Sequence, residues 1–191
     1  MPSTKPYPEM SDEELALLVR AADEGAFGML MERYEPKLLR YGRKFLSDTS
    51  HIEDIVQDVF LRVYQNIKSF DATRRFSPWI YRIAHNAFVN ALKKSSRGAV
   101  PVFDFDALVA HQVYEDPEEK EKEREELSVL LKDGLETLSP PYREILILHY
   151  IEDLSYQEIA DVLRIPQGTV GVRLLRARNA LKSYFAQKQD L

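Results

Sequence analysis

The chain has 191 residues, of which 45% are hydrophobic and 30% charged, and its formal net charge is -5. This length accommodates one domain or two small ones, with a sizeable core in either case. The absence of cysteine excludes disulfide scaffolds, cysteine-ligated zinc and thiol catalysis. The polar N-terminus lacks the apolar core of a signal peptide, and no apolar run approaches the ~20 residues of a membrane span. We therefore expect a cytoplasmic protein without direct membrane insertion.

Helical periodicity dominates the first half of the chain. After a disordered N-terminus over residues 1–10, we expect amphipathic helices over residues 12–22 and 26–46. The sharpest pattern follows i, i+3, i+4, i+7 and comprises Ile52, Ile55, Val56, Val59, Phe60, Val63 and Ile67. The next helix is predicted to begin with Ser77 as its N-cap and Pro78 in its first position. Its predicted buried face comprises Ile80, Ile83, Ala84, Ala87, Phe88, Ala91 and Leu92.

The second half begins with a stretch that has lost this periodicity. Residues 96–121 are acidic and contain Pro101 and Pro117, a composition that predicts a flexible linker. Helices return within residues 122–191: one through residue 138, a break at Pro140 and Pro141, one over residues 142–150, and two more. The sequence therefore predicts an all-α protein of two small helical domains, residues 11–95 and 122–191, joined by a flexible linker.

The last two helices have the pattern of a helix-turn-helix. Ser155 and Glu158 form a capping box at the start of the first helix, and residues 164–166 form the turn, because Pro166 opens a helix but does not fit inside one. Ile159, Ala160 and Leu163 are expected to pack on Val170, Leu174, Ala177 and Leu181. The exposed set of the second helix, residues 167–185, is then Gln167, Thr169, Gly171, Val172, Arg173, Leu175, Arg176 and Arg178. This pattern favours binding in a DNA major groove over a surface hairpin with a solvated basic face.

Two separate stretches of this acidic chain contain no acidic residue. The stretch between Ala72 and Phe103 carries Arg74, Arg75, Arg82, Lys93, Lys94 and Arg97. The stretch between Val162 and Gln189 carries Arg164, Arg173, Arg176, Arg178, Lys182 and Lys188. Two basic surfaces on an acidic protein indicate two contacts with a polyanion.

The first of these stretches combines cations with aromatic and amide side chains. The face of the helix opposite the core presents Trp79, Arg82, Asn86, Asn90 and Lys93. Just upstream lie Phe70, Arg74, Arg75 and Phe76. Cations that follow phosphates, beside groups that hold an unstacked base, are typical of single-strand recognition. The competing interpretation is that Trp79 and Phe76 close a small core, while Lys93 and Lys94 suit a helix C-terminus.

Two sets of motifs resemble the extracytoplasmic-function (ECF) sigma factors, which belong to the sigma-70 family of RNA polymerase initiation factors. The resemblance to sigma region 2 is carried by Asp54–Phe60, Phe76–Ala84 and Asn86. The resemblance to region 4 is carried by Leu138–Arg143, Leu154–Ala160, Ile165–Val170, Arg173 and Arg176–Arg178. The match runs from about Ser11 to Phe185, with the motifs in the family's order.

The resemblance implies an alternative sigma factor that binds core RNA polymerase, recognises the -10 and -35 promoter elements and promotes transcription initiation. It implies no enzymatic activity, and we expect no metal site and no cofactor. The implied polymerase-binding residues are Asp54, Gln57, Asp58 and Leu61; without the resemblance, these acids read as helix N-terminal charge on a solvated face. The implied -10 residues are Phe70, Arg74, Arg75, Arg82, Asn86, Lys93 and Lys94, to which the helix face opposite the core adds Trp79 and Asn90. The implied -35 residues are Gln167, Thr169, Val172, Arg173, Arg176 and Arg178.

One departure from the family's pattern concerns the second helix of the helix-turn-helix. Many members carry a cation and a small polar residue where this chain has Gly171 and Val172. The resemblance therefore leaves the -35 sequence open, with apolar contact to thymine methyl groups as one route to recognition. The family also implies an inhibitory anti-sigma partner that covers both basic surfaces.

Two other functional classes compete with this hypothesis. A helix-turn-helix regulator that does not act through polymerase would explain the C-terminal domain, and core binding by residues 11–95 alone distinguishes it. An enzyme finds little support, because the four histidines are scattered and no H-E-x-x-H, P-loop or G-x-S-x-G motif occurs. These histidines are His51, His85, His111 and His149.

Overall fold

The computed structural model of the chain describes residues 5–94, 134–135 and 137–189. Every regular element in these ranges is helical, which confirms the all-α prediction of two helical domains. The chain divides into two units, residues 1–99 and 100–191. The predicted linker, residues 96–121, and most of the predicted helix over residues 122–138 lie outside the described residues, so the exact domain boundaries stay predictions.

The described part of the first unit contains four α-helices, and the first three are each started by a local capping residue. They are α1 (Asp12–Arg20), α2 (Glu24–Gly42), α3 (Thr49–Asn66), which continues as a 3-10 turn (Ile67–Ser69), and α4 (Phe76–Lys94). Ser11 and Glu14 form a capping box on α1, while Asp23 and Asp48 cap α2 and α3 through their carboxylates. These side chains satisfy amides that the first turn of a helix leaves without a partner.

The core of this unit forms between α3 and its neighbours. All seven apolar residues of the predicted α3 stripe are buried, which confirms the periodicity argument. On α4, Ile80, Ala84, Ala87 and Phe88 are buried as predicted, whereas Leu92 is 41% exposed, so its predicted burial is wrong. Gly42 at the end of α2 permits the close packing, because a Cβ there would lie 2.5 Å from Phe88 Cζ and 2.6 Å from Ile52 Cγ2.

The end of the segment predicted to be disordered instead packs on this unit. Tyr7–Glu9 forms a 3-10 turn, and the Tyr7 hydroxyl donates a hydrogen bond of 2.8 Å to Asp23 Oδ1. Arg33 Nη2 donates to the carbonyl oxygens of Tyr7 and Pro8, and Met10 is 4% exposed. The prediction of disorder over residues 1–10 is therefore wrong for residues 5–10, because contacts with distant residues order this segment.

The start of α4 also differs from the sequence prediction. The helix begins at Phe76, one residue before the proposed cap Ser77. The Phe76 amide donates a 2.8 Å hydrogen bond to Glu13 Oε1, which belongs to the first turn of α1. Ser77 lies inside the helix, and its buried hydroxyl has no hydrogen-bond partner among the described residues. The cap of α4 is thus supplied by another helix.

The second unit contains the helices that were predicted from the capping box and its surroundings. They are α5 (Pro140–Leu146), which continues as a π-helical turn (Ile147–Ile151), α6 (Tyr156–Leu163) and α7 (Gln167–Gln189). The Pro140–Pro141 pair begins α5 rather than preceding it, because proline in the first turn loses no hydrogen bond. Buried Arg143 donates from Nε to the carbonyl oxygen of Leu135 at 2.9 Å and from Nη2 to that of Leu138 at 3.2 Å.

Two features are not found in the described part of the chain. None of its helices has the length and apolar character needed to cross a membrane. Its histidines, aspartates and glutamates form no group of three placed to hold a metal ion.

Candidate polymerase and nucleic-acid interfaces

The outer face of α3 presents the four residues implied for polymerase binding. Asp54, Gln57, Asp58 and Leu61 are all exposed, and Leu61 has 60% of its surface accessible. They lie opposite the buried stripe of the same helix, because positions i, i+3, i+4 and i+7 share one face. We call this set the acidic face of α3.

An aromatic residue that the sequence analysis did not select continues the acidic face. Tyr64 lies three residues after Leu61 and is 43% exposed. Its ring lies 5.1 Å from that of Phe27 on α2, and Phe27 makes an edge contact with buried Phe60. The signal in the sequence was a tyrosine on the polar side of α3, in line with Gln57 and Leu61. The acidic face is therefore followed along α3 by an exposed aromatic ring.

A tight turn presents the first two arginines of the basic surface. The Thr73 hydroxyl donates to Asp71 Oδ1 at 2.7 Å, and the Thr73 amide donates to the same atom at 3.0 Å. Arg74 Nε lies 3.7 Å from Asp71 Oδ2. These interactions, led by the Thr73 hydroxyl, hold the pKa of Asp71 below its usual value. Asp71 is therefore ionised at neutral pH and orders the turn, while Arg74 and Arg75 remain exposed.

An aromatic cluster joins this turn to α4. The Phe70 ring lies 5.3 Å from the rings of both Phe76 and Trp79, and Phe76 lies 5.6 Å from Trp79. Phe76 is fully buried and Phe70 is 3% exposed, whereas Trp79 is half-buried. Phe76 thus belongs to the core, as the competing interpretation held. A base contact by Phe70 requires its ring to be uncovered from Trp79.

The outer face of α4 presents the remaining residues that were selected for the -10 element. Arg82, Asn90, Lys93 and Lys94 are exposed, and Asn86 is half-buried. Together with the exposed arginines of the turn, we call this set the basic face of α4. A groove of about 360 Å³ runs between α3 and α4. Its lining includes Asp58 and Arg62 from α3 and Asn90 and Lys94 from α4, so the acidic and basic faces meet along one groove.

The helix-turn-helix has the geometry predicted for it. The Glu158 amide donates to Ser155 Oγ at 3.3 Å, and the Ser155 amide donates to Glu158 Oε2 at 2.8 Å. Arg164 ends α6 in the left-handed conformation, with φ of 53°. The side chains that face each other across the turn are buried: Ile159, Ala160 and Val162 on α6, and Val170, Leu174 and Ala177 on α7. Leu163 and Leu181, also expected in this contact, are half-buried.

The outer side of α7 carries the residues that were selected for DNA recognition. Gln167, Val172, Arg176 and Arg178 are exposed, while Thr169 and Arg173 are half-buried. Arg178 Nη1 lies 3.4 Å from the Tyr150 hydroxyl, to which it donates. Leu175 is 51% exposed beside these residues, and a Cβ on Gly171 would lie 3.6 Å from Tyr156 Cε2. The exposed surface of α7 is thus a mixture of arginine and aliphatic side chains.

Two of the described histidines, His85 and His149, each contact neighbouring aromatic side chains. His85 Nδ1 lies 3.4 Å from the Tyr41 hydroxyl, and its ring contacts Phe45. His149 Nδ1 lies 2.9 Å from the carbonyl oxygen of Leu154, and its ring contacts Tyr150 and Tyr156. Both side chains therefore take part in packing.

Comparison with known proteins identifies the two halves of the chain separately. The family model for Sigma-70 region 2 matches residues 30–98, and that for Sigma-70, region 4 matches residues 128–181. The ECF RNA polymerase sigma factor SigW of Bacillus subtilis is 35% identical over 194 residues, covering 96% of this chain and all of that protein. The chain belongs to the ECF sigma factors. The ECF RNA polymerase sigma-E factor of Escherichia coli K12 is 31% identical, over 91% of this chain and 93% of its own.

Solved structures of sigma factors have a similar fold. CnrH, solved in complex with the cytosolic domain of CnrY, matches 92% of this chain and 97% of its own, with 26% identity and a TM-score of 0.65. The sigma factor RpoE of Bartonella quintana, solved with the anti-sigma factor NepR, matches 84% of this chain and 96% of its own, with 26% identity and a TM-score of 0.60.

Membership of this family settles the broad function. The protein is an alternative RNA polymerase sigma factor, which binds core polymerase and promoter DNA and promotes transcription initiation. A helix-turn-helix regulator that works without polymerase is not favoured, because both sigma regions match. Sigma factors are initiation factors without enzymatic activity, and the homologous sigma factors act in the cytoplasm with RNA polymerase.

Proposed function

We propose that this ECF sigma factor binds polymerase and DNA through three different exposed surfaces. The acidic face of α3 binds core polymerase, the basic face of α4 binds and opens the -10 element, and α7 reads the -35 element. The observation that carries this proposal is the opposite charge of α3 and α4, which gives one small unit separate surfaces for a protein and for a polyanion.

The polymerase contact rests on the exposure and shape of the acidic face. Asp54 and Asp58 supply charge that steers association with a cationic surface, while Leu61 supplies exposed apolar area that becomes buried at the contact. Large side chains at the centre of an interface carry most of its binding energy. We expect the charge reversal Asp58→Lys to weaken core binding by at least about tenfold, or ~1.4 kcal/mol. Glu32→Lys, an exposed charge reversal on α2, is the matched control.

Strand separation at the -10 element rests on binding rather than on chemistry. Arg74 and Arg75 project from the ordered turn and hold phosphates, while Arg82, Lys93 and Lys94 extend this contact along α4. Asn86 and Phe70, once the Phe70 ring is uncovered from Trp79, form the pocket for an unstacked base, with Asn90 beside it. Unstacking costs a few kcal/mol, and each base captured on an aromatic surface offsets ~1–3 kcal/mol of it.

Recognition of the -35 element rests on the N-terminal half of α7. Its first turns carry Gln167, Thr169, Val172, Arg173 and Arg176, which are the positions through which a recognition helix contacts base edges. An arginine paired with guanine contributes ~1–3 kcal/mol of discrimination. Arg178, whose Nη1 donates to the Tyr150 hydroxyl, is proposed to contact a backbone phosphate.

The decisive experiment measures three affinities on one panel of variants. Asp58→Lys, the pair Arg74→Ala and Arg75→Ala, and Arg176→Ala are each tested for binding to core polymerase, to single-stranded -10 DNA and to -35 duplex. The arginine variants are each expected to lose one affinity and to retain the other two, and Asp58→Lys is expected to lose core affinity without weakening either DNA affinity. A panel in which every variant loses all three affinities equally would contradict the division of labour. Arg20→Ala, at the exposed end of α1, is the control for loss of a cation.

We also propose that an anti-sigma protein controls this factor by covering its binding surfaces. The support is that RpoE of Bartonella quintana was solved with an anti-sigma factor. An inhibitor that covers the basic face of α4 and the exposed arginines of α7 excludes DNA by competition, without any covalent change. We further propose that this sigma factor acts in the cytoplasm and has no catalytic role of its own.

A further inference from the structure

The carboxylate of Glu13 makes a tertiary contact that none of the proposed binding surfaces uses. Glu13 belongs to the first turn of α1 and is half-buried. Its Oε1 accepts a 2.8 Å hydrogen bond from the backbone amide of Phe76, 63 residues further along the chain. The first amides of a helix have no intrahelical partner. A carboxylate that accepts from one of them is favoured both by the charge-assisted hydrogen bond and by the helix dipole.

The residue before Glu13 holds this contact in place. Asp12 Oδ1 accepts from Arg33 Nη1 and Asp12 Oδ2 accepts from the Tyr34 hydroxyl, both at 2.6 Å. The Tyr34 ring in turn lies 5.4 Å from the ring of Phe76. Two consecutive carboxylates of α1 therefore join α2 to the start of α4, which leaves Glu13 little freedom to move.

The position of the start of α4 determines where part of the basic face lies. Arg74 and Arg75 directly precede Phe76 in the chain, and the Phe76 ring supports both Phe70 and Trp79. A shift of the Phe76 backbone therefore displaces the phosphate-holding arginines and the aromatic cluster together. We infer that Glu13 is a positioning residue for strand separation: it fixes the start of α4 so that this part of the basic face captures unpaired bases. The inference rests on the function proposed for that face.

The local effect can be observed directly, since Trp79 is the only tryptophan in the chain. It contacts Phe70 and Phe76 and thus reports the geometry at the start of α4. We expect Glu13→Ala to shift the Trp79 emission maximum to longer wavelength in the full-length protein. Glu13→Gln should shift it less, because the amide oxygen can still accept the hydrogen bond from Phe76. Glu32→Ala, an exposed substitution on α2, should leave the emission unchanged.

The functional effect is measured on holoenzyme, with a fluorescent base in the -10 element reporting promoter opening. We expect Glu13→Ala to slow opening by about tenfold, equivalent to ~1.4 kcal/mol in the barrier. Glu13→Gln should stay within about threefold of the wild type, since it retains the acceptor. Affinity for core polymerase and for -35 duplex should be unchanged. Measuring below the unfolding midpoint of each variant keeps the protein folded during the assay.

Two results would overturn the inference. An opening rate of Glu13→Ala equal to that of the wild type means that Glu13 does not position the basic face, whatever the emission of Trp79 does. An equal loss of opening, core affinity and -35 affinity means that Glu13 serves only overall stability. Failure of the proposed function looks different, because removal of Arg74 and Arg75 would then leave opening unaffected in the otherwise wild-type protein.

Discussion

Replacement of Gly171 by alanine should stabilise the second unit without weakening DNA binding. Gly171 lies inside α7 and has no positive φ. The nearest atoms to an added Cβ are Tyr156 Cε2 at 3.6 Å and Cδ2 at 3.9 Å, which is ordinary van der Waals contact. The substitution therefore meets no steric obstacle and removes backbone freedom from the unfolded chain.

The magnitude follows from the difference between glycine and alanine in a helix interior, about 0.5–1 kcal/mol. For a unit of this size, 1 kcal/mol corresponds to roughly 4–8 °C in Tm, so we expect Gly171→Ala to raise the Tm of the second unit by ~2–8 °C. The far-UV circular dichroism of the full chain follows both units. Trp79 fluorescence follows the first unit alone and provides an internal control.

The companion measurement is the affinity of Gly171→Ala for the -35 duplex selected by the wild-type holoenzyme. We expect it to remain within about twofold of the wild type, because a methyl group beside Tyr156 does not displace Val172 or Arg176. Absence of any rise in Tm would refute the helix-propensity argument. A large loss of affinity would show that DNA approaches the backbone at Gly171 more closely than a Cβ allows.

Three further predictions concern packing, polymerase and DNA. Gly42→Ala should destabilise the first unit by about 1–3 kcal/mol, whereas Gly171→Ala stabilises the second, because a Cβ at position 42 would overlap buried Phe88 and Ile52. An unchanged unfolding midpoint, measured by Trp79 fluorescence, would contradict this prediction. Tyr64→Ala should reduce affinity for core polymerase by about tenfold and leave -35 binding unchanged, whereas Tyr64→Phe should bind core normally. Titration of labelled protein measures both affinities, and equal core affinities for Tyr64→Ala and wild type would show that Tyr64 is not in the interface. Replacing thymine by uracil in the -35 duplex should weaken binding of the wild-type protein by about three- to fourfold, because one methyl-sized group contributes ~0.8 kcal/mol. The same replacement should not change the affinity of Val172→Ala. An equal loss in both proteins would exclude a contact between Val172 and the methyl group.

The features that the sequence predicted well are those specified by neighbouring residues. The stripe from Ile52 to Ile67 needs only helical spacing and a core to face. The capping box of Ser155 and Glu158 and the turn at Pro166 are likewise local signals, and the structure reproduces both. Exposure of the acidic face of α3 follows from the same periodicity, because the positions opposite a buried stripe face solvent.

The features that sequence reasoning missed depend on residues far apart in the chain. Ser77 offers a good local cap, but Glu13 reaches the start of α4 from 63 residues away. Nothing near Tyr7 indicates that its hydroxyl meets the N-cap carboxylate of Asp23. The predicted role of Phe70 is to hold an unstacked base, which requires an exposed ring, yet Phe76 and Trp79 cover this ring. Burial of a single aromatic side chain is set by tertiary packing, which spacing along one helix does not encode.

The charge of the chain couples the two interfaces proposed for the first unit, because it affects the binding of both polymerase and DNA. At a net charge of -5, the free protein is repelled by DNA at long range, although the basic face of α4 attracts it locally. In the polymerase contact that we propose, a cationic partner surface would neutralise Asp54 and Asp58, and Asp58 lines the same groove as Lys94. Core binding should therefore raise the affinity of the basic face for DNA, and DNA should raise the affinity for core by the same factor. This factor should shrink as salt screens the charges.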